Sequence, residues 1–200
     1  MKKKTLRATA LLALWLGTLP ATAQQSGDLL FVRSQTSAFE KAIGASTGEY
    51  THVAIVERDA EGRIWVIEAT TGTGVDRVSL ETWKASQKGI FDRYSLIVPF
   101  DTADVIARAK AFLGQPYDDA FLPGNGRIYC SELVYEAYRG QDTASHLFEA
   151  QPMNFRDNRG RLPLYWKRHF RRLGIPVPEG VPGTNPTSLA RSPLLRMAGQ

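Results

Sequence analysis

The 200-residue chain has only one cysteine, Cys130, so it cannot form an internal disulfide bond. Small secreted domains without a large core usually depend on several disulfides, and that class of protein is therefore excluded. A lone thiol is either a small buried hydrophobic group or a reactive nucleophile. The cysteine count alone leaves both interpretations open.

Long apolar runs are also missing, since the longest, residues 10–19, is shorter than the roughly 20 residues of a membrane-spanning helix. It follows a basic segment with Lys2, Lys3, Lys4 and Arg7 and precedes Ala21-Thr22-Ala23, an A-x-A cleavage pattern. The sequence therefore predicts a secretory signal peptide over residues 1–23 and an exported protein, with the periplasm favoured over full secretion. Residues 24–200 are then expected to form a single domain, in which residues 175–200 are an extended tail.

A strong excess of positive charge is absent from the predicted mature chain. The full sequence has 25 Lys and Arg against 20 Asp and Glu, but residues 1–23 hold four basic and no acidic side chains, which leaves 21 against 20. Such a balance gives no basis for predicting a nucleic-acid partner.

The patterns that are present predict a mixed α+β domain with a small, mostly antiparallel sheet packed against helices. Residues 50–70 contain two β-branched apolar runs around a charged turn that includes glycine, which is typical of a hairpin. Further strands are predicted at 28–32, 74–80 and 92–100, and helices at 37–45, 102–114, 131–140 and 162–174.

Cys130 immediately precedes the predicted helix over 131–140, so its sulfur is expected near a helix N-terminus. Backbone N–H groups and the helix dipole favour a thiolate at that position. This context favours a reactive cysteine over one that only packs against Val134. No C-x-x-C or H-E-x-x-H spacing is present, so neither a metal site nor a cofactor is predicted.

A thiolate nucleophile needs a base, and the chain has only three histidines. His146 and His169 lie in polar and basic segments and are expected to be solvated. His52 lies in the predicted strand THVAIV, on one face with Ala54 and Val56. A structural histidine with a hydrogen-bond partner is the alternative interpretation.

Glu68 supplies the argument for His52 as a base. If the hairpin turn is centred on Ala60, His52 lies opposite Glu68, and opposed side chains have Cβ atoms about 4.5–5.5 Å apart. Glu68 shares its face with Ile64 and Val66, so its carboxylate needs a polar partner. A His52–Glu68 hydrogen bond would fix the imidazole tautomer and leave the other ring nitrogen for a thiol. A surface carboxylate is the alternative.

The segments GQPYDDAF (114–121) and YCSELVY (129–135) resemble the first half of the papain-like cell-wall amidases and endopeptidases of the NlpC type. GDLLF (27–31), THVAIV (51–56) and VIEAT (66–70) are similar to the second half. Because histidine precedes cysteine here, the sequence resembles the circularly permuted branch of YaeF/YiiX-type papain-like enzymes.

This resemblance implies a permuted papain-like fold and a cysteine hydrolase that cleaves an amide bond through a thioester. It implies Cys130 as nucleophile, His52 as general base and Glu68 as the orienting third residue. Tyr117 matches a tyrosine that helps to hold the oxyanion or position the substrate. Asp118 and Asp119 are weaker candidates for substrate binding, with turn residues as the alternative.

The predicted partner is a peptide or acyl-amide substrate, with cell-wall peptidoglycan the leading class. A lipid acyl hydrolase or acyltransferase is an alternative, because the basic segment from Arg161 to Arg172 could contact a membrane surface. A docked helix with a solvated charged face is the other interpretation of that segment. A non-catalytic binding domain is a third possibility, although such a domain need not have kept both Cys130 and His52.

Overall fold

The structure, a computed structural model, describes residues 24–140 and 145–198. The predicted signal peptide over residues 1–23 lies outside the described residues. No helix in the described part is long and apolar enough to cross a membrane.

A six-stranded antiparallel sheet with the order β4-β3-β2-β1-β5-β8 forms the centre of the domain. This confirms the predicted α+β class. Its strands are β1 (Leu29–Arg33), β2 (His52–Arg58), β3 (Ile64–Thr70), β4 (Gly74–Ser79), β5 (Ile90–Leu96) and β8 (Leu195–Met197). A second pair, β6 (Gln151–Pro152) with β7 (Pro182–Gly183), lies outside this sheet.

Four of the six described helices occur where apolar periodicity predicts them. These are α1 (Ala38–Thr47), α3 (Thr102–Ala111), α4 (Cys130–Ala137) and α5 (Leu164–Leu173). The sequence did not predict α2 (Leu80–Ser86) or α6 (Pro186–Ala190).

Each face of the sheet has its own apolar cluster, as strand alternation requires. Helix α4 packs against the larger cluster, which includes the strand residues Phe31, Val53 and Ile67. On the other face, Trp83 of α2 packs against strand residues that include Val32 and Val66. His52 is next to Val53 in β2, and Glu68 is next to Ile67 in β3. Because neighbouring residues of a strand point to opposite faces, both side chains lie on the face that Trp83 covers.

The β2–β3 hairpin differs from its predicted register by two residues. Ile55 is paired with Ile67, so opposed residue numbers sum to 122 and not to 120. A shift of two residues keeps every side chain on its predicted face, whereas a shift of one would have reversed them all. His52 and Glu68 are consequently diagonal neighbours and not directly opposed.

The C-terminal segment is more structured than the predicted extended tail. Strand β8 pairs with β5 at the edge of the main sheet. The Thr187 hydroxyl in α6 accepts a hydrogen bond from the Tyr50 backbone N–H at 3.1 Å. Residues 175–198 therefore complete the domain rather than only covering it.

The contacts of Gly27 and Asp28 explain why these residue types begin the GDLLF segment (27–31). Gly27 has φ +83°, and an added Cβ would lie 2.7 Å from the Phe100 ring, so this position favours glycine. The buried Asp28 carboxylate accepts hydrogen bonds from the Ser95 hydroxyl at 2.5 Å and from the Gln25 backbone N–H at 2.9 Å. This segment thus fixes the start of β1 beside β5.

Candidate active site

Helix α4 begins at Cys130, after the extended residue Tyr129. The first backbone N–H groups of a helix have no partner within the helix and point out of its N-terminus. Cys130 is 5% exposed and contributes to the core beneath the sheet. The thiol is therefore both buried and located at an electropositive helix end, so the two interpretations of the lone cysteine are compatible.

His52 connects Cys130 to Glu68. Its Nε2 lies 2.6 Å from Glu68 Oε2, and it lines the same groove as Cys130, whose proximity contributes to raising its pKa. Because Nε2 is engaged by the carboxylate, Nδ1 is left for the thiol. His52 is the first residue of β2 and therefore lies at the end of the strand. At this position its ring can approach the Cys130 sulfur, although helix α4 packs on the other face of the sheet.

Trp83 holds the far end of this chain of hydrogen bonds. Its indole Nε1–H donates to Glu68 Oε2 at 2.8 Å, so the same carboxylate oxygen accepts from both His52 and Trp83. Trp83 itself is fully buried. The sequence analysis missed this residue, because α2 was not predicted and no local pattern shows which carboxylate an indole will reach.

The electrostatics favour a protonated imidazole beside an ionised carboxylate. Burial opposes the charge on His52, but its hydrogen bonds to Cys130 and Glu68 outweigh this and raise its pKa to about 10. Burial likewise acts against ionised Glu68, yet the His52 hydrogen bond and charge and the Trp83 N–H lower its pKa below the ordinary value. An imidazolium next to Cys130 would stabilise a thiolate.

Tyr117 lies beside Cys130, in the wall of the same groove. A backbone bridge to Ile128, two residues before the nucleophile, fixes its position. Burial, together with the nearby Cys130, raises the pKa of the Tyr117 phenol well above its usual value. The hydroxyl therefore stays protonated and can act as a hydrogen-bond donor.

A groove of about 190 Å³ opens at His52, Glu68 and Cys130. Hydroxyl and amide side chains line much of it, namely Ser34, Ser37, Thr51, Thr70, Thr71 and Gln87. A groove of this composition suits a polar group that makes hydrogen bonds.

The two aspartates proposed for substrate binding, Asp118 and Asp119, have different surroundings in the structure. Asp118 is 0% exposed, and its oxygens accept hydrogen bonds from Ala120 N–H, Leu122 N–H and the Asn125 side chain. Its contacts are those of a residue that shapes its own loop. Asp119 is half-buried, and its backbone carbonyl accepts a hydrogen bond from His169 Nε2 at 2.6 Å.

His169 is buried, which contradicts the expectation that it is solvated. It packs among aromatic residues of α5 and bonds to Asp119, because it shares a helix face with Trp166. His146 is partly buried and stacks on Tyr135 with ring centroids 3.8 Å apart. Neither residue lines the groove at Cys130.

The basic segment forms a helix docked on the domain. Trp166 and Phe170 of α5 are buried in the core, while most of its basic side chains are exposed. Leu164, with 59% of its surface exposed, is the largest apolar group that the helix leaves uncovered. The apolar face proposed for membrane contact is thus largely used inside the protein.

A thiol at the start of a helix and a histidine on an antiparallel sheet, with histidine first in the chain, define a permuted papain-like protein. Residues 23–198 match the family described as permuted papain-like amidase enzyme, YaeF/YiiX, C92, and the chain belongs to this family. The resemblance noted in the sequence is therefore confirmed.

Two relatives extend this result. The chain is 31% identical over 129 residues to YiiX of Escherichia coli K12, and the match spans 62% of that protein's length and 61% of this chain. A crystal structure described as metalloprotein YiiX from Escherichia coli O157:H7 superposes with a TM-score of 0.72 at 25% identity. That match covers 88% of this chain and 97% of the crystallised one, so the fold is shared almost throughout.

The donor set of the described residues does not fit a metal ion. Within the described residues, no group of three or more His, Cys, Asp and Glu side chains is arranged to hold one. Glu68 occupies Nε2 of the His52 ring, which leaves Nδ1 for the thiol, so in this arrangement the imidazole separates the thiol from the carboxylate. A linear Cys–His–Glu arrangement cannot surround one ion with these three ligands.

Proposed function

We propose that the protein is a cysteine hydrolase that cleaves an amide bond through a thioester intermediate. Cys130 is the nucleophile, His52 the general base and then acid, and Glu68 the residue that orients the imidazole. The observation that carries this proposal is the position of His52, which is hydrogen-bonded to Glu68 and lines the same groove as Cys130. Membership of a papain-like amidase family supports the same reaction.

In the first half-reaction, the Cys130 thiolate attacks the amide carbonyl carbon, and the C=O electrons move to oxygen. When the tetrahedral oxyanion collapses, the C–N bond breaks and His52 donates its proton to the leaving amine. The acyl group remains on sulfur as a thioester. In the second half, neutral His52 takes a proton from water, the hydroxide attacks the thioester, and the acid leaves as the thiolate re-forms.

The oxyanion needs donors near Cys130 that are already in place. The backbone N–H of Cys130 belongs to the first turn of α4, where helix N–H groups lack intrahelical partners. The Tyr117 hydroxyl, which remains protonated beside Cys130, is the second candidate donor.

We further propose an exported enzyme that acts on cell-wall peptides, in the periplasm. The basic, apolar and A-x-A pattern of residues 1–23 supports export, and the hydroxyl-lined groove beside His52 supports a polar, peptide-like leaving group.

The experiment that tests the function measures the alkylation rate of Cys130 by iodoacetamide against pH, in residues 24–200 and in the His52→Ala variant. An ordinary thiol has a pKa of about 8.5, so its rate falls roughly 100-fold between pH 8.5 and pH 6. We expect the wild-type rate to fall less than about tenfold, because protonated His52 stabilises the thiolate. The His52→Ala variant should behave like an ordinary thiol. Identical profiles for the two proteins would refute the Cys–His pair.

A Glu68→Gln change is expected to lower amide hydrolysis by about 10-fold to 100-fold, less than His52→Ala does. The amide keeps an oxygen that can accept from His52 and Trp83 but lacks the charge that favours the imidazolium. The rate with acetyl-alanine p-nitroanilide would be measured in both variants. Glu57→Gln is the matched control, because Glu57 is also buried in the sheet but pairs with Arg77 and Lys110. Equal, complete losses in Glu68→Gln and His52→Ala would assign Glu68 a larger part in the chemistry.

A further inference from the structure

A second, smaller cavity meets the groove at Cys130. It shares Ile43, Thr51, Tyr117 and Cys130 with the groove, but neither His52 nor Glu68 lines it. Its volume is about 50 Å³. Cys130 thus separates a polar space next to the base from a second space away from it.

The wall of this second cavity is mostly apolar and closely packed. Its large side chains are Ile43, Tyr117, Phe121, Tyr129, Met153, Phe155 and Trp166, and smaller hydroxyl and amide side chains, Ser131 and Thr184 among them, line the remainder. Ring centroids of Phe121, Phe155 and Trp166 lie 5.2–5.8 Å apart, so each ring limits the movement of the others. No Asp, Glu, Lys, Arg or His side chain lines the cavity. It therefore offers no partner of opposite charge to a charged group.

The backbone at Phe121 is unusual. Its φ of +55° lies in the left-handed region, which a bulky residue rarely occupies. Such conformations are concentrated at active sites and ligand clamps, where the surrounding structure maintains them. Here the conformation holds an aromatic ring in the cavity wall.

Ser131 adds an unsatisfied polar group to the lining. The residue is 1% exposed, and its Oγ has no hydrogen-bond partner among the described residues. A buried hydroxyl without a partner is costly, and a ligand that supplies one recovers that cost. Ser131 directly follows the nucleophile, so such a ligand group would lie close to the reacting carbonyl.

From this arrangement we infer that the small cavity binds the acyl side of the substrate and selects a small, uncharged substituent. This inference rests on the proposed function, because His52 must reach the leaving group to protonate it. The leaving group therefore lies in the groove beside His52, and the acyl substituent lies on the other side of Cys130. An apolar cavity of about 150 Å³ accepts benzene. One of about 50 Å³ admits a short aliphatic group and excludes a phenyl ring or a long acyl chain.

The test uses alkyl chloromethyl ketones, R–CO–CH₂Cl, whose carbonyl imitates the acyl carbonyl of a substrate. The Cys130 thiolate displaces chloride: the S–C bond forms, the C–Cl bond breaks and chloride leaves with its electron pair. Second-order inactivation rates would be measured for R as isopropyl, benzyl, carboxyethyl and heptyl, each divided by the rate with the same reagent on free cysteine. We expect isopropyl to react at least tenfold faster than the other three, since a single misfitting methylene group changes selectivity about 10-fold to 200-fold.

A Met153→Ala variant tests the location of this selectivity. Shortening Met153 enlarges the cavity, so the corrected benzyl rate should rise at least tenfold while the isopropyl rate changes less than threefold. Met197→Ala is the matched control, because Met197 lies in β8 and lines neither the groove nor the cavity. A corrected benzyl rate that rises in Met153→Ala but not in Met197→Ala supports the acyl pocket.

Three other results would overturn the inference, for different reasons. If iodoacetamide alkylation depends on His52 but all four ketones react alike, the catalytic pair stands and the acyl pocket is refuted. If heptyl reacts fastest, the pocket admits long chains and a lipid acyl group replaces the small substituent. If alkylation does not depend on His52, the proposed function fails and the inference fails with it.

Discussion

Replacing Cys130 with alanine is expected to abolish hydrolysis of acetyl-alanine p-nitroanilide while the protein stays folded. The reaction proposed here has no other nucleophile, and loss of the nucleophile in a catalytic triad costs on the order of 10⁶-fold in kcat. The free energy of unfolding should change by only about 1–2 kcal/mol, because the variant removes one small atom from a buried site. Chromogenic assays and urea unfolding measure the two quantities separately.

Val134→Ala is the appropriate control for this experiment. Val134 is fully buried in the same helix, about one turn after Cys130, and it lines neither the groove nor the cavity. Its truncation should lower the free energy of unfolding by about 1–3 kcal/mol but leave turnover near the wild-type value below the unfolding transition. If Cys130→Ala unfolds the protein and Val134→Ala does not, Cys130 serves the core and not the reaction.

The positions of His52 and Glu68 could be predicted because strand alternation has a period of two. The predicted hairpin register was wrong by two residues, but this error leaves both side chains on the same face. The start of α4 was predicted within one residue, because apolar spacing marks the helix and Gly140 follows it. Local periodicity thus located all three residues of the proposed triad.

Other parts of the site depend on contacts between distant segments, which local patterns do not contain. Trp83 reaches Glu68 from a helix that was not predicted, since the predicted strand over 74–80 ends where α2 begins. The small cavity combines residues from six separate segments, and those that contain Met153 and Trp166 carry none of the motifs noted in the sequence. The C-terminal residues were predicted to be extended because of their proline content, but strand pairing with β5 is a tertiary contact.

His52→Ala is expected to reduce turnover by about 10³-fold to 10⁴-fold and also to destabilise the fold, unlike Cys130→Ala. The imidazole acts in both half-reactions, and general acid–base groups contribute up to about 10⁴-fold. Its loss also leaves the buried Glu68 carboxylate with the Trp83 indole N–H as its only hydrogen-bond donor among the described residues, and breaking a buried ion pair costs about 3–5 kcal/mol. His146→Ala removes the same side chain outside the groove and is the matched control.

The stability difference between wild type and His52→Ala should depend on pH in a defined direction. The pKa of folded His52 is raised to about 10, so its stabilising effect is complete below the unfolded value of about 6.5 and is lost as pH rises towards 10. The pKa of Glu68 is lowered, so its contribution is present above the unfolded value of about 4.3 and is lost as pH falls below it. The difference should therefore be largest near pH 5–6 and should shrink by pH 9–10.

Urea unfolding of both proteins from pH 5 to pH 10 distinguishes an ion pair from a neutral hydrogen bond. If the difference stays constant over this range, His52 titrates alike in the folded and unfolded protein, so its pKa is not raised and the imidazolium proposed to stabilise the thiolate does not persist above the ordinary histidine pKa. If it declines from pH 6 towards pH 10 while iodoacetamide alkylation stays fast at pH 6, the same protonated imidazole accounts for both observations. The buried pair would then stabilise the fold and maintain the reactive thiolate through a single proton, which explains why a lone cysteine can be both buried and reactive.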